Sequence, residues 1–336
     1  MVSIKDIAKA AGVSHPTVSR ALSDSPLVNV DTKLRIQRLA REMSYSPDAL
    51  ARSLVSGYSR LLGVVVTTIA DPFIAEVVQG IEDAAHTQGY TVLLCNSHSD
   101  PEREISAVET LRSRRVDGLI VTSSRLGALY LDHLERLGVP VVLVNNHNAR
   151  SGRYTYSVSV DNRQGGRLAA EHLVQLGHRR IAYVTGPADH SDDQDRLAGY
   201  RQTLEQSGIP FDPDLVVTGT GRAGGGGRAV GALMSLSQRP TAVFCYNDMT
   251  AIGLIRAAEA AGCSVPADLA VVGFDDIPFA SYVRPTLTTI AQKKAEMGCW
   301  AVEMVLSLID SPNADADQFS DLAVEGQLIV RKSTVG

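Results

Sequence analysis

From residue 61 onward, short apolar runs alternate with longer amphipathic segments along the chain. The runs have the continuous apolar character of strands buried on both faces of a parallel sheet, and the segments between them have helical periodicity. Strand and helix in alternation predict a doubly wound α/β core. The first strands are expected at 62–67, 90–95, 118–122 and 140–145, with helices at 73–88, 101–114 and 126–137.

A second series with the same pattern follows, so we expect the core to consist of two similar lobes. Ligands of open α/β sheets bind beyond the carboxyl ends of the strands, which places the expected site in the cleft between the lobes. The second series has strands at 156–160, 181–185, 215–217, 242–246, 270–274 and 327–330, and helices at 162–176, 194–207, 225–236, 248–261 and 294–309.

The first 22 residues have a different pattern, that of two short helices joined by a glycine turn. Apolar residues recur at helical spacing from Ile4 to Ala11, Gly12 ends the first helix, and Ser14 can cap the second. This arrangement is typical of a helix-turn-helix.

The second helix of such a motif presents its first residues and its outward face to the major groove of DNA. Long or rigid side chains there read bases, and short hydroxyls contact phosphates and set the register. The alternative is an ordinary helical hairpin in which Arg20 is a solvated charge. The candidates for DNA contact are Ser14, His15, Pro16, Thr17, Ser19 and Arg20.

The run from Ala11 to Arg20 resembles the DNA-binding headpiece of the lactose/galactose-repressor family of bacterial transcription regulators. Three later runs resemble the same family: Asp-Arg-Leu-Ala-Gly-Tyr at 195–200, Val-Gly-Phe-Asp-Asp at 272–276 and Arg-Pro-Thr-Leu-Thr-Thr-Ile at 284–290. The resemblance implies a core like that of periplasmic sugar-binding proteins and a homodimer on a pseudo-palindromic, double-stranded operator. The function it implies is that of a repressor whose operator affinity is modulated by a small polar effector in the cleft.

The resemblance also implies a division of the chain into a headpiece, a hinge and a two-lobed core that binds effector and dimerises. These are expected at 1–45, 46–58 and 59–336, with the first lobe at about 59–161 and 292–322 and the second at about 162–291 and 323–336.

Residues 46–58 match the hinge helix of the resembled family, which folds on operator DNA and wedges a leucine into the minor groove. The matching residue here is Leu54, with Ala51 and Arg52 beside it. Such a wedge unstacks base pairs, at a cost that the resulting bend and extra contacts offset. A plain interdomain linker is the alternative.

Side chains that follow the predicted strands are the candidates for effector binding. The resemblance assigns effector contacts to Arg196 and Asp275, whose guanidinium and carboxylate groups suit paired hydroxyls. Phe73 could instead be a buried aromatic at a helix start, and His190 and Asp192 could be solvated loop residues. The full set is Phe73, Asn145, His190, Asp192, Arg196, Asn247, Asp275 and Gln292.

Gly221 marks a departure from the resembled family, in which several members have an aromatic residue near this position that stacks on the effector. Its absence favours a small polyol over a flat, purine-like effector. Carboxylate and amide acceptors with one arginine are typical of sugar recognition. We therefore expect a sugar or sugar derivative.

Charge is distributed unevenly along this acidic chain. The net charge is −5, yet residues 1–60 carry 9 Lys and Arg against 5 Asp and Glu, a balance of +4. The remainder therefore carries 23 against 32, a balance of −9. A basic head on an acidic body is what a phosphate-binding module attached to a second domain would show.

Neither a secretory signal nor a membrane span is visible in the sequence, so we expect a cytoplasmic protein with no membrane partner. The four cysteines have no paired spacing, and no metal, cofactor or catalytic motif was found, which argues against an enzyme. No leucine heptads follow the last strand, so a dimer is expected rather than a tetramer. The alternative function is a cytoplasmic sugar sensor or enzyme whose N-terminal helices bind protein.

Overall fold

The computed structural model describes residues 2–45, 57–124, 138–145, 155–188, 190–311 and 322–336. The chain forms two compact units, which divide between Arg60 and Leu61. The hinge candidates Ala51, Arg52 and Leu54 and the helix expected at 126–137 lie outside the described residues.

The first unit contains three helices, which are α1 (Ile4–Ala11), α2 (His15–Leu22) and α3 (Val30–Glu42). The Asp6 carboxylate accepts hydrogen bonds from the backbone N–H and the hydroxyl of Ser3, at 2.8 and 2.7 Å, so α1 begins where the sequence predicts. Those bonds lower the pKa of Asp6. Gly12 ends the helix with a φ of 62°, the left-handed conformation that glycine adopts without strain.

A small apolar core holds these helices together. Ile7, Val18 and Ile36, one from each helix, are fully buried. Arg35 of α3 donates a hydrogen bond of 3.0 Å to the carbonyl of Ala11, which satisfies one free carbonyl at the end of α1. The outward face of α2 is thus fixed by packing on its inward face.

The second unit contains twelve strands and eight α-helices among the described residues. The strands are β1 (Leu61–Val66), β2 (Thr91–Asn96), β3 (Gly118–Thr122), β4 (Val141–Val144), β5 (Thr155–Val160), β6 (Ile181–Val184), β7 (Val216–Val217), β8 (Ala242–Cys245), β9 (Ala270–Val272), β10 (Thr289–Ala291), β11 (Leu322–Val324) and β12 (Gln327–Ile329). The helices are α4 (Pro72–Thr87), α5 (Pro101–Ser113), α6 (Asn162–Gln175), α7 (Ser191–Gln206), α8 (Ala223–Ser235), α9 (Asp248–Ala260), α10 (Phe279–Tyr282) and α11 (Lys294–Asp310).

Two parallel sheets organise this unit into lobes, as the alternating pattern predicts. The first sheet has the order β11-β5-β4-β3-β1-β2 and the second the order β7-β6-β8-β9. The run that forms β5 comes first in the second series along the sequence, whereas the expected bounds of about 59–161 place it in the first lobe; β5 pairs with β4 in the first sheet. β11, which was not predicted, extends the first sheet beyond β5.

Chain segments pass between the lobes near 161, 291 and 325. β10 and β12 pair there as a separate antiparallel ladder. No helix among the described residues is long and apolar enough to span a bilayer. Residues that follow strands of both sheets line one cavity, so the carboxyl ends of the two sheets face a common cleft.

Candidate functional site

The outward face of α2 carries the residues predicted to contact DNA. His15, Pro16, Ser19 and Arg20 are exposed. Ser14 caps the helix, since its hydroxyl accepts from the Thr17 N–H at 3.4 Å and lies 2.9 Å from the Thr17 hydroxyl. Thr17 is half-buried. The helix therefore presents an imidazole, a pyrrolidine ring and a guanidinium from one rigid surface.

In the second unit, a cavity of about 210 Å³ opens at the carboxyl ends of strands from both lobes. Thr67, Ser123 and Asn145 line it from the first lobe, directly after β1, β3 and β4. From the second lobe, Tyr246 and other residues that follow β6 to β9 complete the wall. This is the position that the doubly wound topology assigns to a ligand.

Most of the predicted effector-binding residues meet in this cavity. Gln292 alone is not part of its wall: its side-chain amide lies behind Asp275 and donates 2.7 Å to the Asp275 Oδ1. The predicted residues that line the cavity are Phe73, Asn145, His190, Asp192, Arg196, Asn247 and Asp275.

Arg196 is held rigidly in the cavity wall, with only 2% of its surface exposed. Its Nε donates to the Asn162 Oδ1 at 2.8 Å, and its Nη1 donates to the backbone carbonyl of Tyr246. The guanidinium carbon lies 3.7 Å from the centre of the Phe274 ring. Among the described residues none accepts a bond from Nη2, so this nitrogen is the donor that remains for a ligand.

Asp275 lies in a strained backbone conformation. Its φ is 115°, in the region that glycine favours, and such residues persist only where the surrounding structure enforces them. Burial raises the pKa of this carboxyl well above its usual range, while the neighbouring Arg196 opposes the rise. The strained backbone at Asp275 lowers the stability of the fold but holds this acidic group at the cavity.

Asp248 lies behind Asp275 and is fully buried. Its carboxylate accepts from the Thr289 hydroxyl at 2.6 Å and from the Ile277 N–H at 2.9 Å. Burial raises its pKa to about 7 despite these bonds. Asn247, and not Asp248, is the N-cap of α9. The buried Asp248 carboxyl group instead supports the Asp275 turn from inside the second lobe, through its hydrogen bond with the Ile277 N–H.

Two acceptor atoms of the cavity have no donor among the described residues. They are the Oδ1 of Asp192 and the Oδ1 of Asn145, both buried. The alternative that Asp192 is a solvated loop residue is wrong, because only 2% of its surface is exposed. Buried acceptors are nearly always satisfied by a protein group or an ordered water, and these two oxygens can equally accept hydrogen bonds from a molecule in the cavity.

Asn247, Phe73 and His190 line the cavity and also make contacts that stabilise the fold around it. Asn247 caps α9 through its Oδ1, which accepts from the Thr250 N–H at 2.9 Å, and its amide donates to the Gly221 carbonyl at 3.0 Å. Phe73 belongs to the buried cluster of the first lobe, as its structural alternative proposed, and also lines the cavity. His190 precedes α7 and its ring lies edge-on to Tyr246.

Tyr246 is one of several cavity residues that were not predicted from the sequence, with Thr67 and Ser123 among the others. It was assigned to the end of a strand, but β8 ends at Cys245 and Tyr246 already lies at the site. A Cβ built on Gly221 would lie 3.4 Å from its ring. The Tyr246 ring therefore lies beside Gly221, where the sequence indicated no aromatic residue. The absence of an aromatic residue near Gly221 no longer argues against a flat effector.

Comparison with known proteins identifies the family. Residues 3–48 match the model of bacterial regulatory proteins of the lacI family, and residues 170–334 match the periplasmic binding protein-like domain. The transcriptional repressor PurR of Proteus mirabilis is 35% identical over 338 residues, covering 99% of this chain and 97% of PurR. PurR of Haemophilus influenzae is 34% identical over 335 residues, covering 99% and 98%.

The chain belongs to the lacI family.

Solved structures of similar transcription regulators share all or most of this architecture. The Lac repressor dimer bound to operator and the anti-inducer ONPF superposes with a TM-score of 0.88 at 29% identity, covering 100% of this chain and 99% of the repressor. The regulator CelR in complex with cellobiose gives 0.75 at 29% identity, covering 99% and 100%. A lacI-family regulator from Enterococcus faecium with bound ribose gives 0.73 at 30% identity, covering 82% and 98%. The predicted fold class and family are confirmed, and the chain is a DNA-binding transcription regulator.

Proposed function

We propose that this lacI-family regulator is a cytoplasmic repressor that binds a pseudo-palindromic operator as a homodimer. Operator affinity is modulated by a sugar-like effector in the cavity between the lobes. The observation that carries the proposal is that cavity, whose wall combines the rigid Arg196 with buried acceptors for which the described part of the chain provides no donor. The Lac repressor relative was solved as a dimer on its operator, which supports the assembly.

The headpiece supplies sequence recognition in this proposal. Residues 1–45 place α2 in the major groove, where Arg20 and His15 read base edges and the hydroxyls of Ser14 and Ser19 contact phosphates. Residues 46–58 act as the hinge, with Leu54 as the minor-groove wedge. The core from residue 59 onward holds the effector and the dimer contacts.

A sugar or sugar derivative fits the cavity by size and by hydrogen bonding. Its volume of about 210 Å³ lies below the 300–1,000 Å³ of sites for drug-sized ligands, so it suits one small molecule. Hydroxyl groups would supply donors to Asp192 and Asn145 and an acceptor to Arg196. Two solved relatives hold cellobiose and ribose, which supports this chemistry.

A flat heteroaromatic effector is the second candidate. It is favoured by one observation, the half-buried Tyr246 ring beside Gly221. Ring N–H groups would also supply donors to the buried acceptors. The two effector classes differ in whether stacking or hydroxyl contacts dominate the binding.

Coupling between effector and operator is a linkage. The effector can change operator affinity only by binding the two lobe arrangements with different affinity, typically with about 1–3 kcal/mol of coupling. The proposal does not depend on the sign, because an effector that favours the operator-bound arrangement acts as a corepressor and one that disfavours it acts as an inducer.

The test begins with a duplex selected from a random-sequence library by the purified protein. Calorimetry with ribose, glucose, cellobiose, gluconate and adenine is then performed on the free protein and on its complex with that duplex. The proposal predicts that a sugar binds with different affinities in the two states. Binding of adenine alone supports the second effector class. Selection of no duplex would contradict the proposed operator binding and favour the alternative of a sensor or enzyme whose N-terminal helices bind protein.

A further inference from the structure

Residues 275–277 form a turn that touches both the cavity and the body of the first lobe. Asp275 and Asp276 have φ values of 115° and 51°, two successive non-glycine residues in the left-handed region. A non-glycine residue in this region carries backbone strain, which persists only where the surrounding structure enforces it. The contacts that hold this turn therefore deserve a physical account.

Lys294, the first residue of α11, supplies some of these contacts. Its Nζ donates to the carbonyl oxygens of Asp275 and Asp276, both at 2.7 Å. It also lies 3.5 Å from the Oε2 of Glu76 on α4. Lys294, of which only 6% is exposed, is thus held by two hydrogen bonds and one ion pair.

The helix that carries Lys294 is part of the first lobe. A Cβ on Gly80 of α4 would lie 2.0 Å from the Ala295 carbonyl oxygen, and one on Gly298 would lie 2.3 Å from the Val77 carbonyl oxygen. Backbones this close cannot slide independently, so α4 and α11 move as one body. Lys294 therefore reaches from the first lobe to a turn that follows β9 of the second lobe.

Ile277 fastens the other side of the same turn. Its side chain is 2% exposed and belongs to the buried apolar cluster of the first lobe, together with Val77 and Met297. Two residues earlier, the Asp275 side chain lines the cavity. The turn thus joins a cavity acceptor to the helix pair α4 and α11 by a side-chain anchor and by the Lys294 hydrogen bonds.

We propose that Lys294, oriented by Glu76, is a positioning residue that transmits the state of the Asp275 turn to the first lobe and so sets operator affinity. A ligand that draws on the Asp275 carboxylate shifts the turn against the Lys294 Nζ, and the α4–α11 pair follows. This inference rests on the proposed function and names the connection through which the effector-responsive site acts.

The contact is tested without any ligand, by hydrogen exchange of the full-length protein. The reporters are the turn amides of Asp275, bonded to the Ile290 carbonyl, and Ile277, bonded to Asp248. We expect Lys294→Met to speed their exchange at least tenfold and Glu76→Gln at least fivefold. In the Lys294→Met background, Glu76→Gln should add less than twofold, since its effect passes through the lysine. Exchange unchanged by Glu76→Gln, or independent effects of the two changes, would overturn the proposal.

The functional arm uses the duplex selected by the wild-type protein. Lys294→Met should change its affinity at least tenfold with the salt dependence unchanged, because headpiece phosphate contacts are untouched. Lys294→Arg, which retains the charge, should restore most of that affinity. The matched control is Lys293→Met, an exposed neighbour, which should act as wild type. Equal duplex affinity of the two methionine variants would refute the role of Lys294. Absence of any selected duplex refutes the proposed function instead, and the exchange experiment still decides the contact.

Discussion

At the scale of single residues, the cavity is defined by buried ionisable groups. Asp192, Asp275 and the cationic Arg196 all line the cavity and are almost fully buried. Arg196 is itself fixed by Asn162 and the Tyr246 carbonyl, so it cannot turn away when a ligand is absent. The polarity of the site is therefore set before the effector arrives, which reduces the ordering cost of binding.

Replacing Asp275 with asparagine should remove the effector response. Asparagine tolerates positive φ and keeps an oxygen for the Gln292 amide, so the turn is retained while the charge is lost. A lost hydrogen bond to a charged group costs about 1.5–3 kcal/mol, or a 10- to 150-fold weaker effector affinity. Calorimetry with the panel compound that binds wild type measures the effect, with exposed Asp214→Asn as control. Normal effector affinity in the Asp275 variant would show that the site is misassigned.

The raised pKa of Asp248 gives a pH dependence with a definite sign. Its pKa moves from 3.8 in the ordinary carboxyl to about 7 in the fold, mainly through burial. Between about pH 4 and 7 the folded state keeps a proton that the unfolded state loses, so the free energy of unfolding falls as pH rises through this window. The contribution of Asp248 is lost by pH 7 and above.

Asp248→Asn should therefore flatten this part of the pH profile. At about 1.4 kcal/mol per pKa unit, the difference in unfolding free energy between wild type and variant should fall by up to a few kcal/mol from pH 4.5 to 7.5. Urea unfolding of the two proteins at several pH values provides the measurement, and exposed Asp310→Asn serves as control. A difference that is constant with pH would contradict the assignment of a buried, proton-binding carboxyl.

At the scale of elements, α2 is the part whose role follows most directly from local sequence. Its cap at Ser14, its buried Val18 and its exposed Arg20 all follow from residue type and helical spacing. We expect Arg20→Ala to lower affinity for the selected duplex by about 1–3 kcal/mol and to affect unrelated DNA much less, since a base contact discriminates between sequences. Arg38→Ala, an exposed arginine on α3, is the matched control. Equal loss on both DNAs, measured by fluorescence anisotropy, would make Arg20 a phosphate contact.

Element positions along the second unit were largely predictable because period and turn residues are local signals. The helix predicted at 194–207 begins at Ser191. The prediction started too late because the first turn of this helix is polar and contains no apolar repeat. The sheet to which β5 belongs follows from the lobe bounds that the family resemblance implies but not from the order of the apolar runs, because pairing across a lobe crossover is decided by the tertiary fold. The burial of Asp248 could not be predicted for the same reason. An acidic residue at a helix start has the sequence pattern of a cap, and only the tertiary fold shows that it is buried.

At the scale of the whole molecule, the function is indicated only by the cavity and the headpiece taken together. The cavity alone would suit a sugar-binding protein, and the headpiece alone would suit any helix-turn-helix regulator. Their union in one lacI-family chain, with an acidic core of balance −9 and a basic head of +4, points to an effector-controlled operator complex. The lobe connection through Lys294 is the physical link within the core.

The most direct test of this account is to titrate the labelled selected duplex with the protein and to measure binding by fluorescence anisotropy. The titration is repeated at several salt concentrations, with and without each panel compound. The account predicts an affinity that falls steeply with salt, as counterion release from phosphates requires, and a 5- to 150-fold shift caused by one compound. An affinity shifted by no compound, although calorimetry shows that one binds the cavity, would contradict the central claim that the cavity controls the operator.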